Sequence, residues 1–357
     1  MIYNNWNPSS ITLDVELSTH CNLKCPQCSR TDEENNLKPY SFLKPTSVSL
    51  SKFKSWFPPE VMKSINFHFS GTYGDPGMCK DLKEIVYYII DESNCTISIN
   101  TNGSMRDEQF WWDIASYSGE RLNIIFDIDG INQEMHSFYR RGSDLEKVLT
   151  ALEVSSATLA RVSVLTVLFK HNQDYLEDIR DMCRERAFGN VEFDVVEGNN
   201  FQRGSTYPFI NEDGKEEVLE QITREDREQG LERNDRRVRD HRHPIGVDIT
   251  CLAKEQNNMK VSAEGQISPC CYLSTPLRRA NEITDGYITD DGVWGGTINK
   301  TMKEFVDNKN DFNLNYTSFK DILSNDWFNN KLPKSWENQT ACYACKKVCG
   351  KISYETR

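Results

Sequence analysis

The sequence predicts an α/β fold. A parallel sheet with crossover helices is expected over residues 1–210 and a small cysteine-rich α+β domain over residues 247–357, with a charged bridging helix or linker at 211–246. Three observations carry this. Strand-like runs of period two alternate with helix-like runs six times between Ile11 and Val196. The composition then turns abruptly to Glu, Arg, Asp and Lys between Asn211 and Asp240. Most of the 12 cysteines fall into two groups, Cys21 to Cys28 and Cys251 to Cys349.

Taken in order, Ile11, Leu13, Val15 and Leu17 alternate with polar residues, which makes a strand with one apolar face. Its C-terminal end, where parallel α/β folds place their sites, delivers the first cysteine group. Ser49 suits the cap of a helix through Phe57, which Pro58-Pro59 ends, and Ile65, Phe67 and Phe69 form a second alternating strand. Helix 79–92, strand 95–100, helix 106–117, strand 122–128, a helix around 143–156, strand 161–169, helix 173–187 and strand 191–196 follow. Such spacing suits parallel strands joined by right-handed crossovers. Past Asn211 only Val218, Leu219 and Ile222 break the run of charge, so a solvated bridging helix or mobile linker is expected there. Met259 to Ser268 looks like a hairpin turning at Glu264-Gly265, bracketed by Cys251 and Cys270.

Composition narrows the classes of function. A chain of 357 residues can bury a sizeable core, and a formal net charge of -12 argues against a surface built to hold nucleic acid. Met1 to Ser10 has neither the basic nor the long apolar segment of a signal peptide, and the apolar run Ile85 to Ile90 is far too short to span a bilayer. The expectation is a cytoplasmic protein without a membrane partner. In a reducing compartment, so many cysteines raise the question of metals and redox rather than of disulfides.

The first cysteine group is His20-Cys21-Asn22-Leu23-Lys24-Cys25-Pro26-Gln27-Cys28, a C-x3-C-x2-C spacing. Cysteines can be buried hydrophobes, disulfide partners or zinc ligands. Three of them on a short loop with Asn22 and Pro26 do not suit a core, and zinc sites usually present C-x2-C pairs. A four-iron cube usually takes four thiolates, so three from one loop leave one iron open to a ligand that is not protein. The loop resembles that of the radical S-adenosylmethionine (SAM) enzymes, in which SAM chelates the open iron and is reductively cleaved to a 5'-deoxyadenosyl radical. The resemblance implies a partial (β/α)6 barrel and a [4Fe-4S] cluster with exchangeable SAM on Cys21, Cys25 and Cys28. Gln27 stands where many family members have an aromatic residue.

Further motifs extend the resemblance. Ser70-Gly71-Thr72-Tyr73-Gly74-Asp75-Pro76-Gly77 is similar to the family's Gly-Glu-Pro segment, which implies that Gly74 and Asp75 hold the SAM ammonium, with Asp in place of the usual Glu. A plain Gly-Asp-Pro turn is an adequate alternative. Asn100-Thr101-Asn102-Gly103 and Asp127-Ile128-Asp129-Gly130 resemble segments that implicate Asn102 and Asp127 in binding the ribose hydroxyls. His136 to Gly142 resembles a stretch whose arginine grips the SAM carboxylate; Arg140 aligns best, Arg141 is its rival, and a solvated surface role suits either.

The second cysteine group resembles the SPASM and twitch extensions of this family, and Tyr316 to Phe328 resembles the short helix before their closing cysteines. A full SPASM domain needs more closing cysteines than Cys342, Cys345 and Cys349. The twitch pattern implies one auxiliary [4Fe-4S] cluster on Cys251, Cys270, Cys342 and Cys345, with Cys271 or Cys349 as possible substitutes; a four-cysteine zinc site has equally good spacing. Cys79, Cys95 and Cys183 lie in helix or strand patterns and read as core.

These resemblances imply a radical SAM oxidoreductase that abstracts hydrogen from a small-molecule or peptide substrate. Its outcome is expected to be a two-electron oxidation or a substrate modification assisted by the auxiliary cluster, with flavodoxin or ferredoxin as electron donor. A radical SAM transferase forming a C-C or C-S bond is the first alternative, and a metal-binding module that kept only the fold is the second.

Overall fold

The structure, a computed structural model, describes residues 11–63, 65–198, 201, 205–223, 244–274, 300–338 and 340–354. They belong to a mixed α/β fold whose partial barrel-like sheet is followed by smaller helical and strand segments. Two compact units are distinguished, one comprising the described residues of 11–15, 51–66 and 244–354, the other those of 16–50 and 67–223.

Strand β1 is Ile11–Val15, helix α1 Leu50–Trp56 and strand β2 Ile65–Phe69, close to the spans that the alternation predicts. The second unit is built on a parallel sheet of the last part of β2 with β3 (Ile97–Thr101), β4 (Leu122–Asp127), β5 (Arg161–Leu168) and β6 (Val191–Glu197), each paired with the next. Helices α2 (Leu82–Glu92), α3 (Glu108–Ser118), α4 (Gln133–Tyr139), α5 (Leu145–Ser156) and α6 (Leu176–Arg186) lie between the strands in sequence. Three of these helices start on side-chain caps, where Asp107, Asn132 and Asp144 accept from the backbone N–H of Phe110, Met135 and Lys147.

One face of this sheet is apolar and wholly buried: Phe67, Phe69, Ile97, Ile99, Leu122, Ile124, Phe126, Val162 and Val164. Helical residues Ile85, Ile89, Trp111, Ile114, Val148 and Leu152 are equally buried. The other face carries His68, Ser98, Asn100, Asn123 and Asp127 together with Ile125 and Leu165, all half-buried. A parallel sheet covered on both sides reads apolar on both. A polar second face instead marks where a site can be built.

The charged stretch departs from its reading. Thr206–Ile210 (β7) and Glu216–Glu220 (β8) pair as an antiparallel hairpin turning at Gly214 (φ +79°), so residues 216–220 are strand and not bridging helix. Each strand buries one apolar side chain, Phe209 and Leu219, and their packing overrides the weak helical preference of the charged residues. The rest of the expected linker, 224–243, lies outside the described residues.

In the other unit β1 runs parallel to β10 (Asn258–Val261), which pairs antiparallel with β11 (Ile267–Ser268). The turn between them has Gly265 at φ +87°, where a side chain would be strained and a Cβ would meet the Trp56 ring at 2.8 Å. Preceding them, β9 (Pro244–Ile249) pairs with the closing strand β12 (Gly350–Tyr354). Helices α7 (Lys300–Asp307), α8 (Phe319–Ser324), α9 (Leu332–Glu337) and α10 (Tyr343–Cys349) complete the unit around Phe305, Phe312, Trp327 and Phe328. The helix expected at 316–328 is shorter: Ser318 caps α8 through Asp321 N–H, and a wider turn at Trp327–Lys331 follows.

Candidate functional site

The cysteine loop is held from within by its own turns. Cys28 N–H donates to Cys25 O at 3.1 Å, and Thr31, buried, ties the loop end with its hydroxyl to Cys25 O at 2.6 Å. Leu23 N–H points at Cys21 Sγ, 3.4 Å away. The three thiols lie within electrostatic reach of one another. Burial pushes all of them up, that of Cys21 to about 12 with Asp75 adding to the effect, and that of Cys25 against the opposing pull of Arg140. Such thiols stay protonated until a metal cation replaces the proton.

Next to the loop stands a carboxylate with every acceptor position taken. Asp75 Oδ1 accepts from Gly77 N–H at 2.7 Å and from the Thr101 hydroxyl at 2.9 Å; Oδ2 accepts from the backbone and side-chain amides of Asn102, both at 2.8 Å. A carboxylate offers about four lone-pair sites. Burial raises the Asp75 pKa, and Asn102, Thr101 and Gly77 hold it back. Asn102 reaches onward to Asn22 Oδ1 at 3.0 Å and approaches Cys21 Sγ at 3.9 Å, while Asn22 donates to Ser104 Oγ at 2.9 Å. The 70–77 segment is drawn in by Asp75 N–H to His20 O at 2.8 Å. At Gly74 an added Cβ would sit 2.0 Å from Ser18 O, so only glycine permits this approach.

Arg140 and Arg141 part company. Arg140 donates from Nε to Asp129 at 2.6 Å and from Nη1 to Asp127 at 2.9 Å, in a buried triad beside Cys25. Burial lifts the Asp127 carboxyl to about 7 despite Arg140. Asp129 also accepts from Val167 N–H at 2.6 Å, and its own N–H donates to Nδ1 of the fully buried His136, whose Nε2 meets Ser143 Oγ at 2.9 Å. Arg141 turns instead to Glu212 and Glu217, both at 2.8 Å, on the turn and second strand of the β7–β8 hairpin.

Residues 15–183 match the model of the Radical SAM superfamily. The chain carries a radical SAM domain. Among curated relatives, a probable GTP 3',8-cyclase of Methanocaldococcus jannaschii is 26% identical over 176 residues, covering 49% of this chain and 55% of that protein. A GTP 3',8-cyclase of Campylobacter curvus is 22% identical over 292 residues, 77% of this chain and 84% of the relative. The match thus spans about half the length of the first relative. Among solved structures, native anSMEcpe with bound AdoMet superposes with a TM-score of 0.53 at 16% identity, covering 95% of this chain and 89% of that one. The fold is that of a radical SAM barrel followed by a twitch/SPASM-like part.

Among the described residues no group of three or more His, Cys, Asp or Glu is placed to hold a single metal ion. Thiols are chemically suited to an iron-sulfur cluster, whose irons bind one thiolate each.

In the other unit the second cysteine group gathers as well. Cys342 and Cys345 lie 3.5 Å apart, sulfur to sulfur, and their contact lowers the Cys342 thiol to about 7 while raising that of Cys345. Cys345 has Cys270 and Cys251 as further electrostatic neighbours, and Cys251 has Cys349. Cys271, exposed, neighbours Cys270 and also has Asp14 and the buried Lys260 beside it, a pair bonded at 2.9 Å.

Sequence reasoning missed Asn22 and the polar face of the sheet. His68, Ser98 and Asn123 stand in register, His68 bonds Asn100 at 2.7 Å, and Ser163 donates to Asn123 at 3.1 Å. The signal was present: in I-N-F-H-F and I-S-I-N the residues between the apolar ones are polar and suited to a ligand.

Proposed function

We propose that this chain is a radical SAM oxidoreductase that takes hydrogen from a neutral, polar small molecule or a peptide side chain in a two-electron oxidation. The carrying observation is that the cysteine loop, the Gly74–Asp75 segment, the Thr101–Asn102 turn and Arg140 meet through direct hydrogen bonds and charge contacts. When bound, a reduced [4Fe-4S] cluster supplies the electron that cleaves SAM to a 5'-deoxyadenosyl radical.

Cys21, Cys25 and Cys28 would hold that cluster. Asn102, fixed by Asp75, presents its amide beside Cys21, while Asp127 and Arg140 offer acceptor and donor for ribose and carboxylate. With its acceptor positions filled, Asp75 serves as a positioning residue, and the backbone at Gly74 is the part of that segment free to approach SAM. His68, Ser98, Asn100 and Asn123 place hydrogen-bond donors and acceptors on the polar face, which suit hydroxyl or amide groups. Cys251, Cys270, Cys342 and Cys345 would hold one auxiliary [4Fe-4S] cluster able to accept the electron left after hydrogen abstraction. A flavodoxin or ferredoxin would supply the reductant.

The second reading is a bond-forming transferase, favoured by the names of the two curated relatives as cyclases. A nucleoside triphosphate calls for cationic side chains. On the polar face of β3 to β6 the described residues offer Arg161, at the edge. Mass spectrometry of the product decides: loss of two hydrogens supports the oxidoreductase, whereas a new ring or an added group supports the transferase.

A further inference from the structure

We propose that the β7–β8 hairpin is a clamp over the three-cysteine loop and that Arg141 is the positioning residue that closes it; this rests on the reading of that loop as a cluster site. The clamp is secured at five places. Ile210 N–H donates to Glu33 O at 2.8 Å, Asn36 donates to Asn211 O at 3.0 Å, and the Tyr207 hydroxyl donates to Pro26 O at 3.3 Å, between the second and third cysteines. Phe209 and Leu219, both buried, join Leu23, Cys25 and Leu37 in one apolar cluster that Cys21 and Cys28 flank.

Arg141 makes the fifth connection from both of its ends. Its carbonyl accepts from Lys24 N–H at 3.0 Å, inside the cysteine loop, while its guanidinium bonds Glu212 and Glu217 and lies over the Phe209 ring at 5.5 Å. One residue thereby ties loop backbone to hairpin side chains. Glu217 is itself oriented by Asn211, whose carbonyl oxygen Oδ1 accepts from Asp213 and Lys215 N–H in the hairpin turn. A bidentate arginine with two carboxylates is a directional lock that a lysine matches only in part. The sulfur ligands are thus covered on this side by apolar side chains, and opening the hairpin is the local event that would let water and chelators reach them.

The test uses reconstituted full chain and follows the electron paramagnetic signal of the reduced cluster that shifts on adding SAM, which reports this cluster separately from any auxiliary one. Samples are exposed to an iron chelator for timed intervals before reduction. Loss of the charged hydrogen bonds to Glu212 and Glu217 should make local opening, and hence signal decay, at least roughly tenfold faster in Arg141→Ala. Arg141→Lys should recover part of the difference, and Tyr207→Phe should give a smaller acceleration in the same direction. Thermal unfolding of the metal-free variants separates local opening from general loss of fold. Decay at the wild-type rate in both Arg141→Ala and Tyr207→Phe would overturn the clamp. A wild-type protein that takes up no SAM-responsive cluster would instead overturn the cluster reading itself.

Discussion

Asn102 gives both its backbone N–H and its side-chain amide to a single oxygen of Asp75, at 2.8 Å each. The carboxylate therefore fixes the residue that reaches toward Cys21. Asp75→Asn places an amide against donors and loses charged hydrogen bonds, at a cost of at least about 2 kcal/mol in a buried setting. Urea denaturation should show that loss together with weaker SAM binding by calorimetry. An unchanged midpoint would mean that the four contacts do not bear on stability.

His136 makes acid stability a readout of the Arg140 network. Burial, with the positive Arg140 nearby, lowers its pKa from 6.5 to about 3, so the folded state keeps the ring neutral while the unfolded chain takes up a proton below 6.5. Its contribution to stability is full above pH 6.5 and is lost progressively as pH falls toward 3. His171, lowered to about 4 by burial, acts in the same sense. In a pH series of chemical denaturation, His136→Gln should lose less stability between pH 7 and pH 5 than the wild type, a window that spans the histidine's ordinary value. Parallel curves would show that the ring does not titrate as its burial requires.

The polar face of the sheet should affect substrate more than SAM. His68→Ala and Asn100→Ala each remove one side of a 2.7 Å bond and a group that a polar ligand can use. Reductant-dependent 5'-deoxyadenosine formation in the absence of substrate should stay within about twofold of wild type, while product formation falls roughly tenfold or more, the range for losing a positioned hydrogen-bonding group. Equal loss of both would assign these residues to SAM binding or to folding.

The second cysteine group divides into ligands and a bystander. Alanine in place of Cys342 or Cys345 should lower the iron content from about eight to about four per chain, as the loss of one four-iron cube requires. Cys271→Ala should leave it unchanged, because that thiol is exposed and, unlike Cys251 and Cys270, is not among the neighbours of Cys345. Zinc in this group would mark a structural metal site instead.

How much of this was legible in the sequence follows from the range of the interactions involved. Strands such as Ile97–Thr101 and helices such as Leu145–Ser156 announce themselves because a single periodicity and a local cap determine them. The β7–β8 hairpin did not. Its strands bury only Phe209 and Leu219 amid charge, and both are held by partners near residues 23 and 37, far away in the chain. Arg140 and Arg141 are neighbours of one type, so no pattern says which faces Asp129 and which faces Glu217; the exit geometry of α4 decides it. The motif residues Gly74, Asp75, Asn102, Asp127 and Arg140 were named by their loops, but the closed set of donors around Asp75 emerges only when two such loops are brought together.

The central claim is that Cys21, Cys25 and Cys28 hold a cluster that cleaves SAM. The direct measurement is anaerobic reconstitution followed by a count of iron and sulfide and an assay of reductant-dependent 5'-deoxyadenosine formation, with a triple variant carrying Ala at Cys21, Cys25 and Cys28 as control. The account predicts about eight irons in the wild type, about four in the variant, and cleavage in the wild type alone. Cleavage that persists in the variant, or a wild type that binds iron without ever cleaving SAM, would contradict it.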